Sequence, residues 1–263
     1  MEDEILRCDV TDGVARLEMN RPGKLNALSD AMLAALKSKL VALGEDRSVR
    51  VIILSGVGKA FCAGHDLGEM QAGRASADKG AAYFADLFAR CTEVMLMIPA
   101  LPQPVIAEVH GIATAAGCQL VASCDMAVAA EGTRFGVNGV NIGLFCSTPM
   151  VALTRNIPRK AAFEMLTTGT FIDAERAQAL GLVNHVVPHS DLRAHTDQLA
   201  ATLAAKLSSA VRIGKQTFYQ QAEMDVADAY AHAGAVMVEN MLWRDTEEGI
   251  SAFLDKRKPD WAD

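Results

Sequence analysis

The sequence predicts an α/β fold, and three features carry that expectation. Short runs of β-branched and aliphatic residues alternate with stretches of helical apolar spacing, and turns of small residues join one to the other. Of the 263 residues, 51% are hydrophobic and 22% charged, the balance of a chain that buries a sizeable core.

The elements follow in order. "ILRCDV" and "VARLEMN" flank "TDG", two alternating runs across a turn signal, so the chain opens with a β-hairpin. Ser29 is placed to cap the helix "DAMLAALKSKLVALG", which is expected to stop at Gly44. "VRVIILSG" reads as a buried strand and "AFCAGHDL" as the loop after it. The grammar then repeats: a helix from about Asp78 to Ile98, the strand "PVIAEVH", a small-residue turn with a short helix around Gln119, and the strand "MAVAA". From "STPMVALTRNIPRKAAFEMLTTG" onward helical patterns dominate, interrupted by the strand-like "LVNHVV". Beyond Pro188 the pattern is helical throughout, with Ala- and Met-rich apolar faces in "AYAHAGAVMVENMLW". A helical extension after a complete α/β core packs on that core or on another subunit, which points to self-association. With no linker or repeat, one domain is expected, its core over 1–195 and a C-terminal helical region over 196–263.

Composition excludes several functions. Lys plus Arg number 25 against 32 Asp plus Glu, with the signs interspersed, so no basic stripe is available for a nucleic acid. The start "MEDEILRCDV" lacks the basic head and apolar stretch of a secretory signal, and no segment has the length of a membrane span, so a cytoplasmic protein is expected. Six cysteines occur without a CxxC pair, which reads as free thiols and gives no metal site.

Chemistry is suggested by two turns. In "FCAGHDLGEM" and "TAAGCQL" a β-rich run ends, small residues follow and a helix begins. Backbone N–H groups at such turns, near helix N-termini, favour an oxygen with developing negative charge, and two together make an oxyanion hole. Either turn alone is equally what a tight strand-to-helix connection requires.

"NRPGKLNAL", "KAFCAGHDLGEM", "PVIAEVHGIATAAGCQLVASCDMAVA", "RFGVNGVNIGL" and "EEGISAFLDKRKPDW" resemble, in order, the signature segments of the crotonase superfamily, the enoyl-CoA hydratase/isomerase family. The match spans nearly the whole chain, and "GLFCSTP" with "HGIATAAGCQLVASCD" resembles one subgroup in particular. The resemblance implies a crotonase fold of repeated β-β-α turns, a C-terminal helical trimerisation region, and a homotrimer or a dimer of trimers. It implies a coenzyme A thioester as substrate or ligand and no permanently bound cofactor. Matched by position, the oxyanion-hole N–H groups fall on His65 and Ala116. The coenzyme A would run along Lys24, Asn26 and Ala27 and along Ala63, His65, Asp66 and Leu67. Phe253 and Lys256 would reach it from a neighbouring subunit.

Hydratases of this family add water with two glutamates, and here those positions hold Gln119 and Gly139. An amide takes no proton at neutral pH and glycine has no side chain, so efficient hydration is not expected. Restoring both glutamates is the obvious test. Other polar groups near the turns are Asp66, Glu69, His110, Asn138, Asn141, Cys146 and Ser147. Asp66 reads best as a partner of loop N–H groups, and Cys146 as a small buried residue rather than a nucleophile, since no His stands at a telling spacing. Three readings stay open. One is an acyl-CoA enzyme that stabilises an oxyanion by decarboxylation or thioester hydrolysis, the second a non-catalytic acyl-CoA-binding protein, and the third a hydratase in fatty acid metabolism with another proton carrier.

Overall fold

A computed structural model describes residues 4–262. The chain opens with β1 (Leu6–Thr11) and β2 (Val14–Met19), which pair antiparallel with Thr11 opposite Val14. Asp12 and Gly13 both take positive φ, 50° and 77°, the two-residue turn that matches strand twist and that Asp-Gly favours. The remaining elements are α1 (Asp30–Glu45), β3 (Val51–Gly56), α2 (Leu67–Gly73), α3 (Ala81–Ala100), β4 (Val105–Val109), β5 (Ile112–Thr114), α4 (Ala116–Ser123) and β6 (Met126–Ala130). They continue with β7 (Arg134–Gly136), α5 (Pro149–Asn156), α6 (Arg159–Thr168), β8 (Ile172–Asp173), α7 (Ala174–Leu180) and β9 (His185–Val187). Four helices close the chain: α8 (Leu192–Ala204), α9 (Ser208–Gln221), α10 (Val226–Met241) and α11 (Arg244–Leu254).

Six strands form one sheet in the order β1-β2-β3-β4-β6-β9, parallel after the opening hairpin. A second sheet holds β5-β7-β8, and single bridges extend it from Ala113 to Cys62 and from His65 to Leu28. The repeated β-β-α turn implied by the family resemblance is therefore present. A long strand in the first sheet leads to a short one in the second and then to a helix, as in β4, β5 and α4. The central parallel strands β3, β4 and β6 are buried on both faces, as parallel strands with crossover connections are. Leu17, Ile52, Leu54 and Ala107 face Leu33, Leu36, Val94 and Ile98 of α1 and α3, while Val51, Ile53, Ile106 and Val128 face Leu192 and Ala200 of α8.

Ser29 caps α1 through its Oγ, which accepts from the Met32 N–H at 3.2 Å. The helix does not stop at Gly44; it runs to Glu45, and Gly44 lies where any Cβ would come within 2.9 Å of the Leu101 side chain. That glycine is there for helix packing rather than as a stop. Asp78 accepts from the N–H groups of Gly80 and Ala82, so the next helix begins three residues later than its apolar pattern suggests, at Ala81. The strands β5, β7 and β8 are two or three residues long, too short for periodicity to mark. Residue 196 lies inside α8, which covers the main sheet, so the helices beyond that covering layer begin with α9.

An ion pair fastens α9 to the core. The buried Lys215 ammonium lies 2.6 Å from Asp125 Oδ2 and donates to the carbonyls of Ile98 and Gln103, and the Tyr219 hydroxyl donates to Asp125 Oδ1 at 2.8 Å. Burial pulls the Lys215 pKa down from its ordinary value, and the Asp125 carboxylate opposes that shift. The helix after it is different: α10 contributes no buried residue, and Tyr230, Met237, Val238 and Met241 lie exposed along it. Among the described residues no helix is long and apolar enough to cross a membrane.

Candidate functional site

The site is built where two turns press together. In the first, Gly64 has φ +87°, a conformation that glycine adopts without strain, and its carbonyl accepts from the Leu28 N–H at 2.8 Å. The Ala63 N–H donates to Leu25 at 3.0 Å, so the turn is stitched to the segment before α1. In the second turn, Ala115 sits at φ 50° and ψ −120°, a region that a residue with a Cβ enters only under strain. Its N–H donates to the Gly136 carbonyl at 2.9 Å, which holds it there. The first intrahelical bond of α4 runs from the Gln119 N–H to the Ala115 carbonyl at 3.0 Å. The amides of Ala116, Gly117 and Cys118 thus have no acceptor in their own helix, and Ala115 provides no side-chain cap.

The turns approach to backbone contact. A Cβ on Gly64 would lie 3.0 Å from Ala115 Cβ and 3.3 Å from the Ala116 nitrogen. A Cβ on Gly117 would lie 2.2 Å from the Cys62 carbonyl oxygen, so only glycine lets α4 dock there. This brings the His65 and Ala116 segments together at the positive end of a helix dipole.

Side chains around the turns fall into two groups. Most serve the framework. Asn26 is fully buried at φ 53°; its Oδ1 accepts from the Arg21 N–H, and its Nδ2 donates to Val57 and Ala60 at 2.9 and 2.8 Å. It can meet a ligand only through its backbone. Asp66 caps α2, accepting from Gly68 and Glu69, and the Glu69 carboxylate accepts from the Asp30 N–H at 2.8 Å, bracing the start of α1. Asn138 Oδ1 accepts from the Thr114 hydroxyl at 2.6 Å, Asn141 donates to Gly169, and the Ser147 N–H donates to Phe145. His110 contacts the Gly58 carbonyl at 2.8 Å and stacks edge-on to His189. Cys146 accepts from the Gly139 N–H at 3.3 Å, and burial pushes its thiol pKa up, opposite to what a nucleophile needs.

Two side chains are not spent in this way. The His65 ring packs edge-on against Phe88 with Nδ1 3.4 Å from the Leu28 carbonyl, which leaves Nε2 buried without a partner. Burial lowers its pKa, keeping the imidazole neutral. Gln119 is 5% exposed, and its Oε1 is likewise buried without a partner. Gly139 is buried in a different setting, with a Cβ position 2.3 Å from the Leu144 carbonyl oxygen and 2.9 Å from Cys146 Sγ. Its φ is not positive, so the obstacle to a side chain there is space rather than backbone conformation.

Of the remaining predicted residues one is buried and the others lie at the surface. Ala27 is buried beside the first turn, Lys24 ends an exposed 3-10 turn, and Leu67 is exposed at the head of α2. Phe253 is 82% exposed on α11, and Lys256 follows it at φ 55°. Sequence reasoning missed Ala115 and Gly117 as the residues that set the approach; the dipeptide order in "TAAGCQL" does not tell which small residue is strained. It also missed the Asp125–Lys215 pair, whose partners are separated by 90 residues.

The whole arrangement has close counterparts. Residues 9–263 match the enoyl-CoA hydratase/isomerase family profile. The chain belongs to that family. It is 46% identical over 249 residues to enoyl-CoA hydratase domain-containing protein 3, mitochondrial, of Xenopus laevis, covering 95% of this chain and 83% of that protein. The 2,3-dehydroadipyl-CoA hydratase of Escherichia coli is 34% identical, with 94% of each chain covered. Among solved structures, an enoyl-CoA hydratase of Mycobacterium smegmatis superposes with a TM-score of 0.95 at 54% identity, covering 99% of this chain and 100% of that one. Human enoyl Coenzyme A hydratase domain-containing protein 3 gives 0.93 at 45%, covering 98% and 100%.

These relatives correct one expectation. The Xenopus, mouse and human proteins are named mitochondrial, which points to a mitochondrial rather than a cytoplasmic location. The sequence reading tested for a secretory signal and a membrane span, and neither test separates the cytosol from another reducing compartment that also keeps thiols free.

Proposed function

We propose that this family member binds an acyl-CoA thioester with the thioester oxygen held between the backbone N–H groups of His65 and Ala116, and that it does not hydrate enoyl-CoA efficiently. The observation that carries this reading is the close approach of the two turns, with the position of a Gly64 Cβ 3.3 Å from the Ala116 nitrogen. Preorganised backbone donors stabilise an oxyanion without needing a side chain of their own. Neither position expected to hold an acid/base carboxylate does so: Gln119 is an amide, and no side chain fits at Gly139. The chemistry left to such a hole generates or stabilises an enolate without proton abstraction by carboxylates, as in loss of carbon dioxide from a malonyl-type thioester, or hydrolyses the thioester with a positioned water.

The ligand would be completed by a neighbour. The exposed apolar side chains of α10, with Leu242, Phe253 and Leu254 beyond it, support a homotrimer or a dimer of trimers in which Phe253 and Lys256 reach the coenzyme A of an adjacent subunit. Calorimetry with butyryl-CoA beside a crotonyl-CoA hydration assay tests the proposal. Tight butyryl-CoA binding with slow hydration is the expected result; absence of binding overturns it.

A further inference from the structure

Away from the two turns, the fold brings together a pair of side chains that it does not use. His185 heads the edge strand β9 and His195 lies in the first turn of α8, and their rings stand 4.9 Å apart between centres, tilted by 58°. Three other imidazoles are engaged by the chain: His65 Nδ1 at the Leu28 carbonyl, His110 Nε2 at the Gly58 carbonyl and His232 Nε2 at Gln220 Oε1. Among the described residues no hydrogen bond or ion pair holds either ring of this pair, so their ring nitrogens are uncommitted. The backbones beneath them are fixed. Val128 stands opposite His185 in the ladder between β6 and β9, and α8 docks through the buried Leu192, Thr196 and Ala200 on either side of His195.

The spacing fits a shared ligand. With a zinc–nitrogen distance of about 2.0–2.1 Å and each ring centre roughly 1.2 Å behind its nitrogen, two imidazoles at tetrahedral angles have centres about 5.3 Å apart. The observed separation needs a shift of only a few tenths of an ångström, and the broad χ2 wells of histidine let uncommitted rings turn a nitrogen toward a common point. We propose that His185 and His195 chelate one divalent ion of the late first transition series, pinning the edge strand to the helix that covers the sheet. Imidazole suits zinc, nickel and copper, whereas magnesium and calcium take oxygen ligands. Among the described residues no group of three or more His, Cys, Asp or Glu is placed to hold a metal, so water completes the coordination. The pair lies on the α8 face of the main sheet, opposite α1 and α3, and does not depend on the acyl-CoA reading.

Zinc calorimetry on the full chain without added histidines tests it, beside His185→Gln, His195→Gln and the control His189→Gln. The wild type takes up one zinc ion, and either substitution in the pair weakens binding roughly 10²–10⁴-fold, the advantage of an intramolecular second ligand. His189→Gln leaves binding unchanged. An ion held only by the folded chain stabilises it, so zinc at 100 times its dissociation constant raises the wild-type Tm by about 5–10 °C, and magnesium does not. Imidazole NMR signals of the wild type, of which zinc should shift two and no others, give the answer without relying on a variant. Absence of zinc uptake overturns the proposal, as does uptake that survives either substitution in the pair or is lost with His189→Gln.

Discussion

The turn that opens α4 and the loop from Asn138 to Cys146 carry the two positions where the family resemblance places glutamates, and they differ in what stands there instead of a carboxylate. At Gln119 the change is chemical: an amide of the same shape as glutamate stands in a buried setting, with the backbone around it intact. At Gly139 the change is spatial. The Leu144 carbonyl occupies the space a side chain would need, the Cys146 sulfur crowds it further, and the Leu144 N–H closes the loop back on Gly139 at 3.0 Å. One position holds a side chain of glutamate's length, and the other has no room for any side chain.

The largest effect expected from this difference is in the wild type itself. Each missing acid/base group costs roughly 10²–10⁴-fold, so crotonyl-CoA hydration should fall at least that far below the ordinary enzymatic turnover of about 10 per second. Stopped-flow loss of the enoyl absorbance measures it; a rate near the ordinary value breaks the comparison. The paired change Gln119→Glu with Gly139→Glu, natural from the sequence, should not restore hydration. The second carboxylate has no room unless Leu144 moves, and the same assay on the folded double variant decides this.

Stability separates the regions next. Gly117→Ala and Gly139→Ala meet nearly the same obstacle, a carbonyl oxygen 2.2 or 2.3 Å from the new Cβ. Each should cost roughly 1–3 kcal/mol, as overpacking does, lowering Tm by about 2–4 °C per kcal/mol in a chain of this size. The functional outcomes should differ. Gly117→Ala pushes α4 away from Cys62 and so parts the two turns, weakening butyryl-CoA binding by about tenfold, the scale of one lost hydrogen bond. Gly139→Ala displaces only the loop and should leave that affinity within a factor of about 3, below the scale of one net hydrogen bond. Matched calorimetry and thermal melts test both, and equal losses of affinity would dissolve the distinction.

Much of this was legible in the sequence, for reasons specific to each element. The Asp12–Gly13 turn, the Ser29 cap and the Asp66 cap are local, set by a side chain and the backbone within three residues of it. The three short strands of the second sheet were not legible, because they are held by pairing with distant segments rather than by their own pattern. The same holds in the site. The resemblance named the positions of Gln119 and Gly139, but only the Leu144 carbonyl tells a replaced side chain from a position closed to one.

The smallest expected effect lies in pH. Burial lowers the His65 pKa below its usual value, with Arg90 pushing in the same direction and the Leu28 carbonyl and Asp30 opposing it. The ring belongs to the first turn, whereas the loop around Gly139 carries no imidazole. Above the unfolded value of about 6.5 the imidazole is neutral in both states and adds no slope. As pH falls through that value the unfolded chain takes up a proton that the folded ring resists, so folding stability declines until the folded pKa is reached. His65→Asn should remove this component, so its Tm deficit relative to wild type narrows, or reverses, between about pH 7.5 and 5.5, on either side of the ordinary imidazole value. Gly139→Ala, which touches no titrating imidazole, should show a constant deficit across the same range. Melts of the three proteins against pH provide the check: a His65→Asn profile parallel to the wild type would mean that the ring is solvated and protonates freely, and the first turn would then be less tightly closed than its contacts with Leu28 and Phe88 require.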